Sequence, residues 1–264
     1  MQNEVEGFPV LRFTKDGAIR TRKSVATESA VTIILNNQEL VTLLCSPRNL
    51  DHLAVGFLYT EGILKTKIEI EKILLDERRG VVRLETKEDI DVSREVLFKR
   101  IITTGCGRGA SFYSSSDAAS KRIDSEMRIS AHEVFTLVNK FQRSSKIYAA
   151  THGVHSAGLC DTSSILIFAE DIGRHNAIDK IFGECILKNL PITERIVITS
   201  GRISSEILHK VVKMGIPILI SISVPTNLGV RLADELGITL IGFARGKRMN
   251  VYTHDWRISN DEKQ

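Results

Sequence analysis

The fold class of this chain is decided by RIVITSGRISSEILHKVVKMGIPILISIS, residues 195–223. Two nearly uninterrupted apolar runs, Arg195–Ser200 and Pro217–Ser223, flank a segment near Ser204–Met214 that has helical character. Apolar strands that alternate with helices are typical of a mainly parallel sheet covered by helices on both faces. We therefore predict a layered α/β domain around this stretch.

The same alternation extends to both sides of the stretch. Ser130 and Glu133 form a capping-box pattern, because the Ser130 hydroxyl can accept from the third helical amide while Glu133 reaches back. Helices are predicted from Ser130 to Phe141, near Ala177–Leu187 and near Leu228–Leu236, and strands at KIYAATHG (residues 146–153), Ser163–Ala169 and Ile238–Ala244.

The N-terminal part predicts a small sheet with one helix laid across it. Strands Val31–Leu35 and Glu39–Cys45 flank Asn36-Asn37, a hairpin signal because asparagine tolerates positive φ. A helix over residues 52–64, with Asp51 as its cap, and a strand at residues 80–86 follow. We divide the chain into a small α+β domain at residues 1–102, a mobile loop at 103–122 that carries Cys106, and the α/β domain at 123–264.

Composition limits the function classes. The 264 residues are 42% hydrophobic, enough for a sizeable core, and a net charge of +4 is too small to predict nucleic-acid binding. The first residues lack a signal-peptide pattern and no segment approaches a membrane span, so we expect a cytoplasmic protein without membrane contact. Four widely spaced cysteines predict no disulfide scaffold.

Polar and charged residues follow four predicted strands. Ligands in open α/β sheets collect at the carboxyl ends of strands, and guanidinium groups and helix N-termini suit phosphate. We therefore predict a site for a phosphorylated, nucleotide-like ligand, although each cation taken singly is more often a solvated surface charge. The four segments are AEDIGRH (169–175), TSGR (199–202), VPTN (224–227) and FARGKR (243–248).

Four other residues of this region keep two interpretations each. His175 is either an acid or base or a residue that satisfies a backbone carbonyl at a helix start. Asp171 is either a functional carboxylate or a helix cap. His152 and His155 have spacing that could suit a metal, but nothing nearby completes a ligand set, so we favour turn or pocket roles and expect no structural metal.

Cys106 is the cysteine with a reactive sequence context. Three glycines surround it and Arg108 follows, so open amides and positive charge favour the thiolate. A cysteine phosphatase would need an arginine where Phe112 stands, and the H-x-E and P-C-x-x-C strings of a zinc deaminase are absent. A cysteine–histidine hydrolase stays open, but a loose loop is poorly preorganised for acyl transfer, which favours a carried group.

Seven motifs, in consistent order along most of the chain, resemble the FdhD family of formate dehydrogenase accessory sulfurtransferases. The most specific are EDIGRHNAIDK and TSGR. The motifs are TEGI (60–63), TTGCG (103–107), HGVHSA (152–157), EDIGRHNAIDK (170–180), TSGRISSEI (199–207), SVPTNL (223–228) and GFARGKRMNVYT (242–253).

The resemblance implies a sulfur carrier. It implies that sulfur from a cysteine desulfurase is held as a persulfide and passed to the bis(molybdopterin guanine dinucleotide) molybdenum cofactor before insertion into formate dehydrogenase. It also implies a larger domain like that of cytidine deaminases, without zinc ligands, and a homodimer. A chaperone that binds the molybdenum cofactor without cysteine chemistry remains the alternative.

Carried over by position, the resemblance makes Cys106 the persulfide-bearing residue. Many family members have C-x-x-C in the loop, but Gly109 takes the second position here, so Cys106 would work alone. The cofactor-binding residues implied are Phe243, Ala244, Arg245, Gly246, Lys247 and Arg248, joined by Arg174, His175, Ser200, Gly201 and Arg202 as pocket residues.

Overall fold

The computed structural model describes residues 3–65, 69–88, 100–102, 110–112 and 122–259. Cys106 and Gly109 lie outside the described residues, as do parts of the predicted loop at 103–122. In the described ranges no helix is long and apolar enough to cross a membrane.

The chain begins with a two-stranded antiparallel ribbon that we did not predict. Strands β1 (Val5–Thr14) and β2 (Gly17–Ala26) pair along their full length around a Lys15-Asp16 turn. Ribbon residues are mostly exposed on both faces. Two short strands later in the chain, β7 (Arg100–Ile102) and β8 (Ala110–Phe112), form a second antiparallel pair.

The predicted small sheet is confirmed and has one strand more than expected. Asn36 and Asn37 have φ values of 47° and 65° in the turn of the predicted hairpin. The helix begins at Leu50 with Asn49 as its N-cap, so the assignment of Asp51 as the cap was wrong. The sheet has the order β4-β3-β6-β5 and consists of β3 (Ser29–Leu35), β4 (Gln38–Cys45), β5 (Ile70–Asp76) and β6 (Val81–Thr86), with helix α1 (Leu50–Thr60) packed on it.

The second sheet has six strands in the order β11-β10-β12-β13-β14-β15. Its strands are β10 (His155–Cys160), β11 (Ile165–Asp171), β12 (Ile196–Thr199), β13 (Ile218–Ser221), β14 (Thr239–Arg245) and β15 (Arg248–Thr253). Only the pairs β12–β13 and β13–β14 are parallel. The expected mainly parallel sheet is therefore mixed, because β10 and β15 enter through short reversals rather than helical crossovers.

Helices cover both faces of this sheet, as predicted. The helices are α2 (Ala131–Ser144), α3 (Lys146–Thr151), α4 (Arg174–Lys188), α5 (Ser205–Lys213) and α6 (Asn227–Glu235). The capping box at Ser130 is confirmed, with both reciprocal hydrogen bonds formed at the start of α2. Alternate residues of β12 face opposite layers: Val197 packs towards α4, α5 and α6, and Ile196 and Ile198 pack towards α2.

The assignment of KIYAATHG as a strand was wrong, since Lys146–Thr151 is helix α3 and the strand β10 begins only after residues 152–154. Near the chain end, a 3₁₀ helix (Asp255–Arg257) precedes β16 (Ile258–Ser259), which pairs with β9 (Ile129–Ser130). The C-terminal segment thus returns to the start of α2.

Helices α1 and α4 join the two sheets by an unusually close crossing. A Cβ atom at Gly56 would overlap the carbonyl oxygen of Asp179, and one at Gly183 would overlap that of His52. Glycine is therefore required on both helices, because any side chain there would push the backbones apart.

Candidate functional site

The predicted strand-end segments meet at one edge of the six-stranded sheet. Strand β10 is antiparallel to both β11 and β12, so β11 runs in the same direction as β12, β13 and β14. The carboxyl ends of these four strands consequently share one edge. His155, the first residue of β10, lies on the same edge opposite Asp171.

Hydrogen bonds connect the segments that follow the strands. The Ser221 hydroxyl donates to the Gly201 carbonyl at 2.7 Å, which ties the TSGR turn to the end of β13. The Thr226 amide donates to the Ile203 carbonyl at 2.9 Å and joins VPTN to the same turn. These bonds hold two loops, each of which leads into a helix, in a fixed relation.

His155 and Ser200 form the centre of this edge. Nδ1 of His155 lies 3.2 Å from Oγ of Ser200, and that oxygen also accepts the amide of Ser156 at 2.9 Å. Burial lowers the pKa of His155, and the charges of Arg174 and Arg202 lower it further, while Asp171 acts in the opposite direction. Burial and the two nearby arginine charges therefore favour the neutral imidazole.

Arg174 and Gly201 are in direct contact. A Cβ at Gly201 would lie 2.8 Å from Cβ of Arg174, so the turn needs glycine for the arginine to lie across it. Arg202, the residue after Gly201, is exposed. One predicted pocket arginine therefore contacts the TSGR turn, and the other belongs to it.

His175 is turned inward. Its Nε2 lies 3.3 Å from Oε2 of Glu206, and its pKa is lowered to about 3, first by burial and then by the positive charges of Lys210 and Arg174. Burial raises the pKa of Glu206. His175 is thus a half-buried, neutral group at the helix start whose Nε2 faces the Glu206 carboxylate, and the choice between its two interpretations stays a prediction.

Asp171 is a structural residue of the interior. It is fully buried, and its carboxylate accepts from Nζ of Lys180 at 2.7 Å and from the amides of Ser46 and Gly173 at 3.0 and 2.9 Å. Asn176 adds a bond of 2.9 Å from Nδ2. Much of EDIGRHNAIDK thus joins the six-stranded sheet to the segment before α1.

FARGKR occupies the tip of the β14–β15 hairpin. Arg245 donates from Nε to the Ile222 carbonyl at 2.7 Å, and its Cζ lies 5.2 Å from the Phe243 ring centroid, a cation–π distance. Gly246 has a φ of 57°, and Lys247 and Arg248 are exposed beside it. The side chain of Ala244, by contrast, lies fully in the core, so only its backbone could meet a ligand.

Three cysteines are inert in this fold. Cys45, Cys160 and Cys185 are at most 1% exposed, and burial raises the pKa of each thiol to about 12. At neutral pH they are protonated and have no access to a donor. Among the described ranges, no group of three His, Cys, Asp or Glu residues is arranged to hold a metal ion.

The structure brings together Arg174, Ser200, Gly201 and Arg202, and adds His155, for which we had only favoured a turn or pocket role. Because KIYAATHG was assigned as a strand, β10 was not predicted, and the position of His155 at the sheet edge was missed. FARGKR joins this group through Ile222, whose amide donates to the Thr199 carbonyl at 3.1 Å. Glu206 was missed because only the tertiary fold brings it to His175.

Residues 26–259 match the model of the FdhD/NarQ family. A relative from Bacillus pumilus (strain SAFR-032), named sulfur carrier protein FdhD, is 42% identical over 89% of this chain and 90% of its own length. A protein of the same name from Bacillus subtilis (strain 168) is 39% identical over 94% of this chain and 95% of its own. A crystal structure from Desulfotalea psychrophila, described as a candidate formate dehydrogenase accessory protein, superposes with a TM-score of 0.81 at 25% identity and covers 97% of this chain and all of that one.

Proposed function

Because this chain belongs to the FdhD/NarQ family, we propose that it is a sulfur carrier that supports formate dehydrogenase. Relatives with the name sulfur carrier protein FdhD cover nearly its whole length. All seven motifs on which the resemblance was based lie within the matched residues 26–259.

The cysteine chemistry is the observation that carries this proposal. A carrier needs a thiolate that can reach its donor. Cys45, Cys160 and Cys185 are buried, with thiol pKa values raised to about 12, which leaves Cys106 to carry the sulfur. Gly109 stands where many relatives have a second loop cysteine, so transfer proceeds without a loop disulfide.

Loading is a thiol exchange that needs no outside oxidant. The Cys106 thiolate attacks the outer sulfur of a cysteine desulfurase persulfide, a new S–S bond forms, and the desulfurase leaves as its own thiolate. The outer sulfur would then pass to the molybdenum of the bound cofactor, which as the substrate would supply the two electrons that bring this sulfur to the sulfide level, and Cys106 would return to thiolate.

The acceptor, the bis(molybdopterin guanine dinucleotide) molybdenum cofactor, is a substrate here and binds at the strand-end edge. Arg245, Lys247 and Arg248 supply donors that suit its phosphates. Arg174, Arg202 and the neutral His155 form the second half of the site. Phe243, Ala244, Gly246, His175, Ser200 and Gly201 complete the proposed set.

The remaining parts of the proposal concern organisation and partners. Residues 1–102 and 123–264 act as two domains linked by the segment 103–122, and the larger one has the layering of cytidine deaminases. A cysteine desulfurase is the donor, formate dehydrogenase receives the sulfurated cofactor, and the carrier works in the cytoplasm as a homodimer.

The test distinguishes a sulfur carrier from a cofactor chaperone that has no cysteine chemistry. The protein is incubated with a cysteine desulfurase and cysteine, and intact mass is measured before and after alkylation. We expect a gain of one sulfur that is lost in Cys106→Ala and kept in Cys185→Ala, the matched control. If Cys106→Ala still supports formate dehydrogenase maturation, the chain is a cofactor chaperone without cysteine chemistry.

A further inference from the structure

Two buried polar atoms near the strand-end edge face each other without a hydrogen bond. Nε2 of His175 and Oε2 of Glu206 are enclosed by the protein and lie 3.3 Å apart, and neither atom has a hydrogen-bond partner in the described ranges. Buried polar atoms without a partner cost stability, so nearly all such atoms are paired in folded proteins. Two of them at ion-pair distance suggest a contact that is completed only when a ligand binds.

Both residues belong to the first turns of helices that begin at this edge. His175 is the second residue of α4, and Glu206 is the second residue of α5. Arg174, directly before His175, is in contact with Gly201 of the TSGR turn. The pair therefore adjoins the side chains that we propose for the cofactor site.

The two ring nitrogens of His175 have different surroundings. Nε2 is enclosed and faces the carboxylate, whereas a quarter of the side chain is exposed, and Nδ1 has no hydrogen-bond partner in the part of the chain that the structure describes. A neutral imidazole carries one proton, so one nitrogen donates while the other accepts. The partner of one nitrogen thereby decides what the other can bind.

The surroundings of His175 keep its imidazole neutral. Burial has the largest effect on its pKa, and the charges of Lys210 on α5, Arg174 on α4 and His155 on β10 lower the pKa further, to about 3. A neutral ring beside Glu206 presents Nε2 to the carboxylate either as an N–H donor or as a second acceptor. Only the donor form is compatible with an ionised carboxylate at 3.3 Å.

The nearest lysine along α5 does not take this carboxylate. Lys210 lies one turn after Glu206, but an ammonium group has three N–H donors. These donors already serve three other side chains at 2.8–3.0 Å, those of Thr60, Glu61 and Asp179. Oε2 of Glu206 is consequently left facing the histidine.

We propose that Glu206 is a positioning residue of the cofactor site, which accepts a hydrogen bond from Nε2 of His175 and so leaves Nδ1 as an acceptor for a ribose hydroxyl or for the amino group of guanine. The bond is loose in the free protein and tightens when the nucleotide binds, as such contacts often do. A phosphate oxygen is excluded at Nδ1, because both atoms would be acceptors. The inference rests on the nucleotide site of the proposed function and does not depend on the chemistry of Cys106.

The ring tautomer tests the first half of the proposal. It is measured at neutral pH by ¹H–¹⁵N NMR of the histidine side chains in the full chain, and the signals of His175 are identified by their loss in His175→Gln. We expect the Nε2–H form in the wild type. In Glu206→Leu an Nε2 proton would be buried without an acceptor, so the ¹⁵N signals shift towards those of the Nδ1–H form.

The conservative variant separates positioning from a purely structural role. A carboxylate in the first turn of a helix also stabilises the helix terminus, and Glu206→Gln and Glu206→Leu remove that charge equally. Glu206→Gln keeps an acceptor oxygen, so it alone should retain the Nε2–H form. Glu235→Leu, which removes an exposed carboxylate from α6, is the matched control and leaves the ring signals unchanged.

Calorimetric titration identifies the group of the nucleotide that Nδ1 accepts. The 2′-deoxy and 3′-deoxy analogues of GDP each lack one ribose hydroxyl, and IDP lacks the amino group of the base. We expect one of these three to bind the wild type roughly fivefold to tenfold more weakly than GDP. Glu206→Leu should remove most of that difference, and Glu206→Gln should keep it.

Several results would overturn the proposal. An Nδ1–H form in the wild type, or unchanged ring signals in Glu206→Leu, would contradict the role of Glu206. Equal affinity of the wild type for all four nucleotides, or an analogue difference that persists in Glu206→Leu, would contradict the ligand contact. If GDP does not bind at all, the nucleotide site itself is wrong, and persulfide loading at Cys106 on the same samples shows whether the sulfur chemistry fails with it.

Discussion

Nζ of Lys180 lies 2.7 Å from Oδ2 of Asp171, and neither side chain is more than 2% exposed. Lys180 also donates to the Ser46 carbonyl at 3.1 Å, so this one ammonium group connects α4, β11 and the segment before α1. The pair is one of the buried polar links between the two sheets, beside the contacts of Asp179 and Lys210 with Thr60.

Removal of the lysine should destabilise the protein strongly. In Lys180→Met the charge of Asp171 stays buried without its counterion, and breaking such a pair costs about 3–5 kcal/mol. The measurement is the free energy of unfolding in urea. Lys188→Met, which removes an exposed ion pair with Glu184 on the same helix, is the control and should leave that free energy unchanged. Equal effects of the two substitutions would contradict the structural role of Asp171.

Sequence patterns predicted the strand-end site because it depends on local order. TSGR and FARGKR each follow an apolar run directly, and parallel strands bring such positions to one edge whatever the distance along the chain. The link between Asp171 and Ser46 could not be predicted in this way. It joins residues 125 positions apart, and no spacing in the sequence records that contact.

The errors at the secondary-structure level also have physical causes. KIYAATHG has an apolar run short enough for either a strand or a helix, and the Gly and Ala residues of β10 weaken its own strand signal. The ribbon was missed because its apolar residues are scattered among cations and bury little within the chain. Its one local signal, Asp16-Gly17, is a common hairpin turn pair.

The crossing of α1 and α4 should tolerate no side chain at Gly183. A methyl group there would overlap the His52 carbonyl, which belongs to rigid backbone, so Gly183→Ala should lower the free energy of unfolding by about 3 kcal/mol. Thermal or urea unfolding measures the loss. In Gly7→Ala the new Cβ meets only the end of the flexible Arg22 side chain at 3.2 Å, so a comparable loss there would count against the explanation.

His175 should make the protein less stable as the pH falls. Its pKa is lowered from 6.5 to about 3 in the folded state. Between these two pH values the imidazole is protonated in the unfolded chain and neutral in the folded one. Stability is full above about pH 6.5 and falls by about 1.4 kcal/mol for each pH unit below it until about pH 3. His175→Gln should flatten this part of the profile, as measured by urea unfolding at pH 5 and pH 7.

His132→Gln, on the exposed side of α2, is the comparison for that profile. If His175→Gln loses stability between pH 7 and pH 5 as steeply as the wild type does, other groups cause the acid sensitivity. Asp161 acts in the same direction at lower pH: burial alone would raise its pKa, but hydrogen bonds from Ser163 and Ser164 lower it on balance, so its contribution to stability is present above the unfolded pKa of 3.8 and is lost as the pH falls through the folded pKa.

The hairpin tip should control the affinity for guanine nucleotides. Arg245→Gln, Lys247→Gln and Arg248→Gln together remove three cations from the tip, and since charged hydrogen bonds contribute about 1.5–3 kcal/mol each, the Kd for GDP should rise roughly tenfold or more. Isothermal titration calorimetry measures this affinity at fixed salt, because exposed charges are screened. The control neutralises Lys72, Arg78 and Arg79, three exposed cations of the small sheet, with the same change in net charge. Equal affinity in the two triple variants would remove FARGKR from the binding site, while weaker binding only in the first would set the nucleotide at the tip of β14 and β15.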